Sequence, residues 1–249
     1  MKKIIVIPAR YASTRLPGKP LIDIGGKPLI QWVYEGACRS KLADGVLIAT
    51  DDDRIIKAAL SFGAEAIMTD PALPSGTDRV FAAIQDREAD LVMNLQGDEP
   101  FIEAPIIDQL FSAMENNDAN MATLCCPIAD EHEYRDPNTV KIVIDSAGFA
   151  LYFSRSPIPF SRTPNFGDPQ TGTPTPNLLY KHIGIYAFTR SFLQRFVSMP
   201  KSPLAATESL EQLRALENGY KIKVIFTKYS GFGIDTPEDL ERARKLLTK

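Results

Sequence analysis

The 249-residue sequence has no apolar run near the roughly 18 residues a membrane-spanning helix needs. Its start, Met1-Lys2-Lys3-Ile4-Ile5-Val6-Ile7-Pro8, puts two lysines before apolar residues, as a secretory signal does. The apolar stretch ends at Pro8, however, and no small-residue cleavage site follows, so the segment reads as a first β-strand. A cytoplasmic chain with no membrane partner is the expectation. Cysteine is also scarce. Cys38, Cys125 and Cys126 are the three present, and neither His132 nor His182 stands at zinc spacing from them. Adjacent Cys125 and Cys126 lie within the apolar run Ala122 to Ile128 and read as buried strand residues. A basic excess is missing too: 28 Lys+Arg against 31 Asp+Glu give a net charge of −3. With no basic face, a nucleic-acid partner is not expected. An anionic small substrate stays open, because local arginines matter more than the total. Neither G-x-x-x-x-G-K-[ST] nor G-x-G-x-x-G occurs. No Ser-His-Asp or Cys-His set is evident, so no covalent intermediate is expected.

What the chain does have is a core, with 44% apolar residues, and a repeating pattern. Strand-like runs at Ile4–Ala9, Val46–Thr50, Ala66–Thr69, Leu91–Gln96 and Met121–Ile128 alternate with amphipathic stretches at about 28–41, 52–62, 77–87 and 104–116. That alternation predicts an α/β fold, a mostly parallel twisted sheet with helices on both faces. Ligands bind such sheets at the carboxyl ends of the strands, here the loops after Ala9, Thr50, Thr69 and Gln96. Beyond residue 140 the pattern changes. Lys141–Asp145 and Ala150–Ser154 flank Ser146-Ala147-Gly148 as a β-hairpin. Six prolines between 157 and 178 then predict a long loop. A strand at Ile183–Thr189, a helix at about 205–218, a strand at Ile222–Phe226 and a helix at 237–247 complete the chain. No linker divides it, so 1–249 reads as one domain carrying a hairpin-and-proline-loop insertion at 140–190.

Three clusters carry chemistry. The loop Arg10-Tyr11-Ala12-Ser13-Thr14-Arg15-Leu16-Pro17-Gly18-Lys19-Pro20 follows the first strand and holds three cations, Arg10, Arg15 and Lys19. Guanidinium forks match phosphate oxygens, a lysine adds a point charge, and loop N–H groups can face an anion. The bland alternative is a solvated turn. Gln96-Gly97-Asp98-Glu99-Pro100 ends an apolar strand and puts Asp98 where a metal-binding carboxylate would sit; alternatively Asp98 bonds its own turn. In Gly231-Phe232-Gly233-Ile234-Asp235-Thr236-Pro237-Glu238-Asp239, Thr236 is a natural N-cap, Pro237 fits the first helical position and Asp239 the third. Capping leaves Asp235 unexplained. Asp98 and Asp235 could meet and hold Mg²⁺, which favours carboxylates plus substrate phosphates. The run Asp51-Asp52-Asp53 resembles a D-x-D metal motif, but it opens a helix, where acids suit the dipole.

These motifs are similar to those of the 3-deoxy-manno-octulosonate cytidylyltransferase (CMP-Kdo synthetase) family. The matching segments are IPARYASTRLPGKPL (7–21), ATDD (49–52), SGTDR (75–79), NLQGDEP (94–100), ALYFSR (150–155), KHIGIYAF (181–188), LEQLRALE (210–217) and DTPEDLERAR (235–244). They run nearly end to end. The resemblance implies a nucleotide-diphospho-sugar transferase-like fold and a homodimer formed through the 140–190 insertion. CTP and an acidic 2-keto-3-deoxy sugar would be the substrates and Mg²⁺ the cofactor, in lipopolysaccharide synthesis. Arg10, Arg15 and Lys19 would hold the CTP phosphates, and Ser75, Thr77 and Arg79 would lie on the nucleotide. Asp98 and Asp235 would ligate Mg²⁺ and, with Lys19, form the catalytic set. Gln96, Arg155, Arg162, His182, Tyr186, Glu211 and Gln212 would line the sugar pocket.

Each pocket residue has a plainer reading as well. His182 could be a satisfied core-edge histidine, Tyr186 a core tyrosine, Glu211 and Gln212 solvated helix residues, and the two arginines partners of surface acids. Two segments depart from the family pattern. Asp78 stands where Glu is usual, which keeps an 8-amino sugar analogue open, and 163–177 matches little. Other rivals are a sialic acid synthetase, a D-x-D glycosyltransferase, which would need Asp52, and a non-enzymatic nucleotide binder, which would need neither Asp98 nor Asp235.

Overall fold

The computed structural model describes residues 1–12, 16–115, 119–164, 166, 179–200 and 202–247. In chain order these form β1 (Lys3–Ala9), β2 (Asp23–Ile24), β3 (Lys27–Pro28), α1 (Leu29–Ala37), β4 (Gly45–Thr50), α2 (Asp53–Ser61), β5 (Glu65–Met68), α3 (Gly76–Ala83), β6 (Leu91–Asn94) and α4 (Ala104–Glu115). Then follow β7 (Met121–Pro127), α5 (Glu131–Arg135), β8 (Lys141–Ile144), β9 (Ala150–Ser154), β10 (Tyr180–Thr189), α6 (Arg190–Ser198), α7 (Pro203–Glu208), α8 (Leu213–Glu217), β11 (Ile222–Phe226) and α9 (Pro237–Leu247). They group into two compact units, Met1–Asp108 with Gly231–Lys249, and Gln109–Ser230.

In the first unit the strands run parallel in the order β6-β1-β4-β5. Both faces of β6 and nearly all of β1 are buried, as unbroken apolar strands are when a parallel sheet is covered on two sides. Local signals start the helices. The Asp52 carboxylate accepts from Arg54 N at the head of α2, and Ser75 Oγ accepts from Asp78 N at the head of α3. The D-x-D-like run is thus a helix start: Asp52 caps, and Asp51 bonds Arg79. The C-terminal segment packs Ile234 and Ala243 with Leu16, Ile24 and Leu29. The same cluster anchors the end of the cationic loop and the start of α9.

In the second unit β11 pairs parallel with β7, while β7–β10, β10–β8 and β8–β9 are antiparallel. The hairpin forms where expected. Its turn is closed by Asp145, whose side chain accepts from Ala147 N and Phe149 N, with Gly148 at φ 78°. Cys125 and Cys126 are buried, and burial pushes the Cys126 thiol up to about 12. Helices α5 and α6 form where none is predicted, and the helix expected at about 205–218 is broken. The segment 205–218 splits into α7 and α8, because Ser209 takes a left-handed conformation (φ 52°, ψ 47°) that ends α7. Of the proline loop, 157–164 and 166 carry no helix or strand, and the remainder lies outside the described residues.

Candidate active site

Asp98 and Asp235 stand 137 positions apart in sequence, and backbone pairing joins them: Ile234 N donates to Asp98 O at 3.0 Å. Asp235 is fixed from its other side by the start of α9. There Asp239 accepts from Thr236 N at 2.9 Å and Asp235 N at 3.1 Å, while Thr236 Oγ1 accepts from Asp239 N. This reciprocal cap is the role the sequence predicts for Thr236. Lys19 closes the arrangement, its Nζ lying 2.7 Å from Asp98 Oδ2 and 2.8 Å from Asp235 Oδ1. Burial works against the ammonium, but the two carboxylates outweigh it and hold the Lys19 pKa above its ordinary value. Gly97 lets the Asp98 loop lie against β1, since a Cβ there would stand 3.0 Å from Pro8 O.

A cavity of about 350 Å³ opens here, lined by Arg10, Ala12, Lys19, Gln96, Gly97, Asp98 and Asp235 among others. It sits at the carboxyl end of β1, where the sheet topology says a ligand binds. The Arg10 guanidinium donates to the Leu73 carbonyl. Arg15 lies outside the described residues. Among the described residues no group of three or more His, Cys, Asp and Glu side chains converges as a metal cage. The Asp98/Asp235 pair instead supplies oxygen donors already gathered around one positive charge. That donor set suits Mg²⁺, which takes one or two carboxylates and completes its shell with waters and phosphate oxygens.

The residues of α3 are arranged differently from Arg10 and Lys19. Ser75 caps the helix, and its hydroxyl donates to the Asp78 carboxylate at 2.5 Å. Thr77 is buried and accepts from Asn94 Nδ2 at 3.1 Å. Arg79 is wholly buried, with Nη2 2.7 Å from Asp51 Oδ2 and Nη1 on Thr69 Oγ1. Nothing in the local sequence signals the Arg79–Asp51 pair, because Arg79 lies on α3 and Asp51 in the loop after β4.

In the second unit Tyr186 and His182 share a face of β10, as their even spacing predicts, with ring centroids 5.4 Å apart. The Phe153 edge packs on His182 at 5.0 Å. Burial pulls the His182 pKa down to about 3, and burial with Glu211 nearby pushes Tyr186 well above its ordinary value. Gln212 is buried, and its amide nitrogen has no hydrogen-bond partner among the described residues. Arg155 spends its donors on main chain: Nε to Glu208 O (2.8 Å), Nη1 to Pro137 O (2.9 Å) and Nη2 to Ser209 O (3.4 Å). Arg162 is exposed. Two residues that no sequence motif marks take part here: Glu208, whose carboxylate accepts from Ser154 Oγ at 2.6 Å and Arg155 N at 2.9 Å, and Thr123, on the His182 ring at 2.9 Å.

A parallel α/β sheet edge that carries phosphate-matching cations beside paired carboxylates defines a nucleotidyltransferase site. The chain belongs to the family of the 3-deoxy-manno-octulosonate cytidylyltransferases. A cytidylyltransferase family model matches residues 4–222. The 3-deoxy-manno-octulosonate cytidylyltransferase of Thermodesulfovibrio yellowstonii is 52% identical over 99% of this chain and 98% of its own length. That of Bdellovibrio bacteriovorus is 48% identical over 100% and 98%. A solved CMP:2-keto-3-deoxy-manno-octonic acid synthetase complexed with CTP superposes with a TM-score of 0.90 at 44% identity, covering 100% of this chain and 99% of that one. A 4-diphosphocytidyl-2C-methyl-D-erythritol synthase from Anaerococcus prevotii, at 17% identity and TM-score 0.65, shares the fold.

Proposed function

We propose that the protein transfers CMP from CTP to 3-deoxy-manno-octulosonate, giving CMP-Kdo and pyrophosphate. The observation that carries this reading is the conjunction of Arg10, Lys19, Asp98 and Asp235 around one cavity, in a chain alike over its full length to cytidylyltransferases for that sugar. The sugar's anomeric hydroxyl loses its proton to solvent and its oxygen forms a bond to the α-phosphorus as the bond to the β-phosphate bridging oxygen breaks, and pyrophosphate takes the electron pair. Such a reaction asks a protein chiefly for positioning and charge stabilisation. Arg10 and Lys19 supply positive charge at the phosphate end. Asp98 and Asp235 would hold Mg²⁺, which when bound neutralises phosphate charge and acidifies the attacking hydroxyl. Gln96 joins the same cavity wall, while Arg155, Arg162, His182, Tyr186, Glu211 and Gln212 are the proposed sugar-recognising set of the second unit.

Pyrophosphate release across the four nucleoside triphosphates and a panel of 2-keto-3-deoxy acids tests the assignment. CTP with 3-deoxy-manno-octulosonate is the expected best pair, with activity lost in EDTA and restored by Mg²⁺. Better turnover with an 8-amino analogue or a sialic acid would overturn the sugar assignment. Asp78 accepts the Ser75 hydroxyl on one carboxylate oxygen, and the substrate panel decides whether it favours the amino analogue. A homodimer is proposed through the 140–190 segment, where Leu151 and Phe160 stand 59% and 88% exposed. Light scattering that finds a monomer at micromolar concentration would refute it. Among the described residues no helix is long and apolar enough to cross a membrane.

A further inference from the structure

The pairing of β7 with β10 breaks register between Ile183 and Tyr186. Ile183 faces Leu124 and Tyr186 faces Thr123, so Gly184 and Ile185 have no opposite residue in β7. The carbonyls of Ile183 and Ile185 both turn to the Thr123 hydroxyl, at 3.1 and 2.8 Å. Thr123 is completely buried, and the same oxygen lies 2.9 Å from His182 Nε2.

A hydroxyl has one proton to give and two lone pairs with which to accept. Two of its three neighbours here are carbonyl oxygens, which only accept. The proton therefore points to them. Turned toward His182, it would leave a bare hydroxyl oxygen against two carbonyl oxygens in a buried place. The third neighbour must then donate. We propose that Thr123 is a positioning residue that fixes His182 as the Nε2–H tautomer and leaves Nδ1 as an acceptor for a hydroxyl of the sugar acid. The second half of this proposal rests on the reading that His182 faces the sugar. Among the described residues none donates to Nδ1. The Phe153 edge and the Tyr186 ring give the imidazole apolar walls, and burial keeps it neutral. His182 thus selects a hydrogen-bond donor; pairing with the substrate carboxylate would need an imidazolium. Both nitrogens of an imidazole cannot accept at once, so the choice made at Thr123 decides which group of the substrate is recognised.

Long-range ¹H–¹⁵N correlation spectra of ¹⁵N-histidine-labelled protein read the tautomer directly. The chain has two histidines, and a His132→Gln variant assigns them. The expected free-enzyme spectrum at neutral pH shows His182 Nε2 protonated and Nδ1 bare. Thr123→Val should mix the tautomers, while Thr123→Ser should restore the wild-type pattern. Saturating sugar acid should shift Nδ1 and leave Nε2 protonated. In kinetics Thr123→Val should raise KM for the sugar acid about tenfold, the scale of one hydrogen bond, with KM for CTP changed less than about twofold. A protonated Nδ1 in the wild type, a Thr123→Val spectrum unchanged from wild type, or a bare Nδ1 unmoved by bound sugar would each overturn the proposal. Should Thr123→Val fail to fold, the wild-type spectrum and Thr123→Ser still decide it. Sugar acid that perturbs no resonance in the protein sinks the functional reading alone, because the tautomer is read without ligand.

Discussion

Replacing His182 with glutamine isolates one contribution to acid stability. In the folded protein burial among Phe153, Tyr186 and the strand backbone pulls His182 down to about 3. In an unfolded chain the same imidazole titrates near about 6.5. Between those values the unfolded state carries a proton that the folded state refuses. Stability is therefore fully present above the unfolded pKa and drains away as pH falls toward the folded one. Linkage with the two values gives a loss of about 2 kcal/mol on going from pH 7 to pH 5, all from this one side chain. Glutamine removes the titration and keeps an N–H that can meet Thr123. Urea unfolding of wild type and His182→Gln at both pH values is the assay. Titrations common to both proteins cancel in the difference, so wild type should lose about 2 kcal/mol more than the variant over that interval. Parallel losses in the two proteins would refute the reasoning, for they would mean that folded His182 protonates almost as readily as free histidine.

Three further outcomes are expected. Asp98→Asn and Asp235→Asn should each lower kcat by about 10³, with circular dichroism unchanged, and a variant that kept near-normal kcat would remove that residue from the metal set. Gly97→Ala should destabilise by about 1–3 kcal/mol in denaturant, because its Cβ would meet the rigid Pro8 carbonyl at 3.0 Å, and wild-type stability would show that the loop is free to move. Arg155→Ala should raise KM for the sugar acid far more than for CTP and also lower the melting temperature, since three carbonyls lose their donor; the reverse substrate preference would displace Arg155 from the sugar set.

The strands were readable because a strand buried on both faces is an unbroken apolar run, and β1, β4, β6 and β7 fall where such runs occur. The α9 start was readable because a capping box is local. Asp98 and Asp235 were readable as a pair because each ends a segment at the same edge, although the Ile234–Asp98 backbone bond that joins them leaves no mark on either motif. The break at Ser209 was missed because the residues around it carry ordinary helical periodicity, and only the left-handed backbone of a non-glycine residue stops the helix. Thr123 was missed for a different reason. Inside a run of buried strand residues a threonine looks like a valine, and its importance arises from a register shift in the partner strand 60 positions away.

The arginines show most sharply where motif reading stops. Arg10, Arg79 and Arg155 all stand in family-like motifs, and position alone treats them as equivalent anion binders. A guanidinium recognises a phosphate or carboxylate only with donors it can turn to it, and any donor already satisfied must first be released. Arg10 meets this condition best: it lines the cavity, and its described hydrogen bond is to a single carbonyl. Arg79 does not, because moving it would strip Asp51 of its partner and break the tie to Thr69 in a fully buried place. Arg155 stands between the two, with three carbonyls spaced along one side chain in a half-buried setting. Its direct contribution to binding is what remains after those bonds are loosened, and its indirect contribution is the placement of β9 against the end of α7. Glu208 shares that second task, since its carboxylate holds the Arg155 backbone while its own carbonyl receives the Arg155 side chain. The setting of Arg155 is thus fixed by Glu208, Pro137 and Ser209 before any ligand is present.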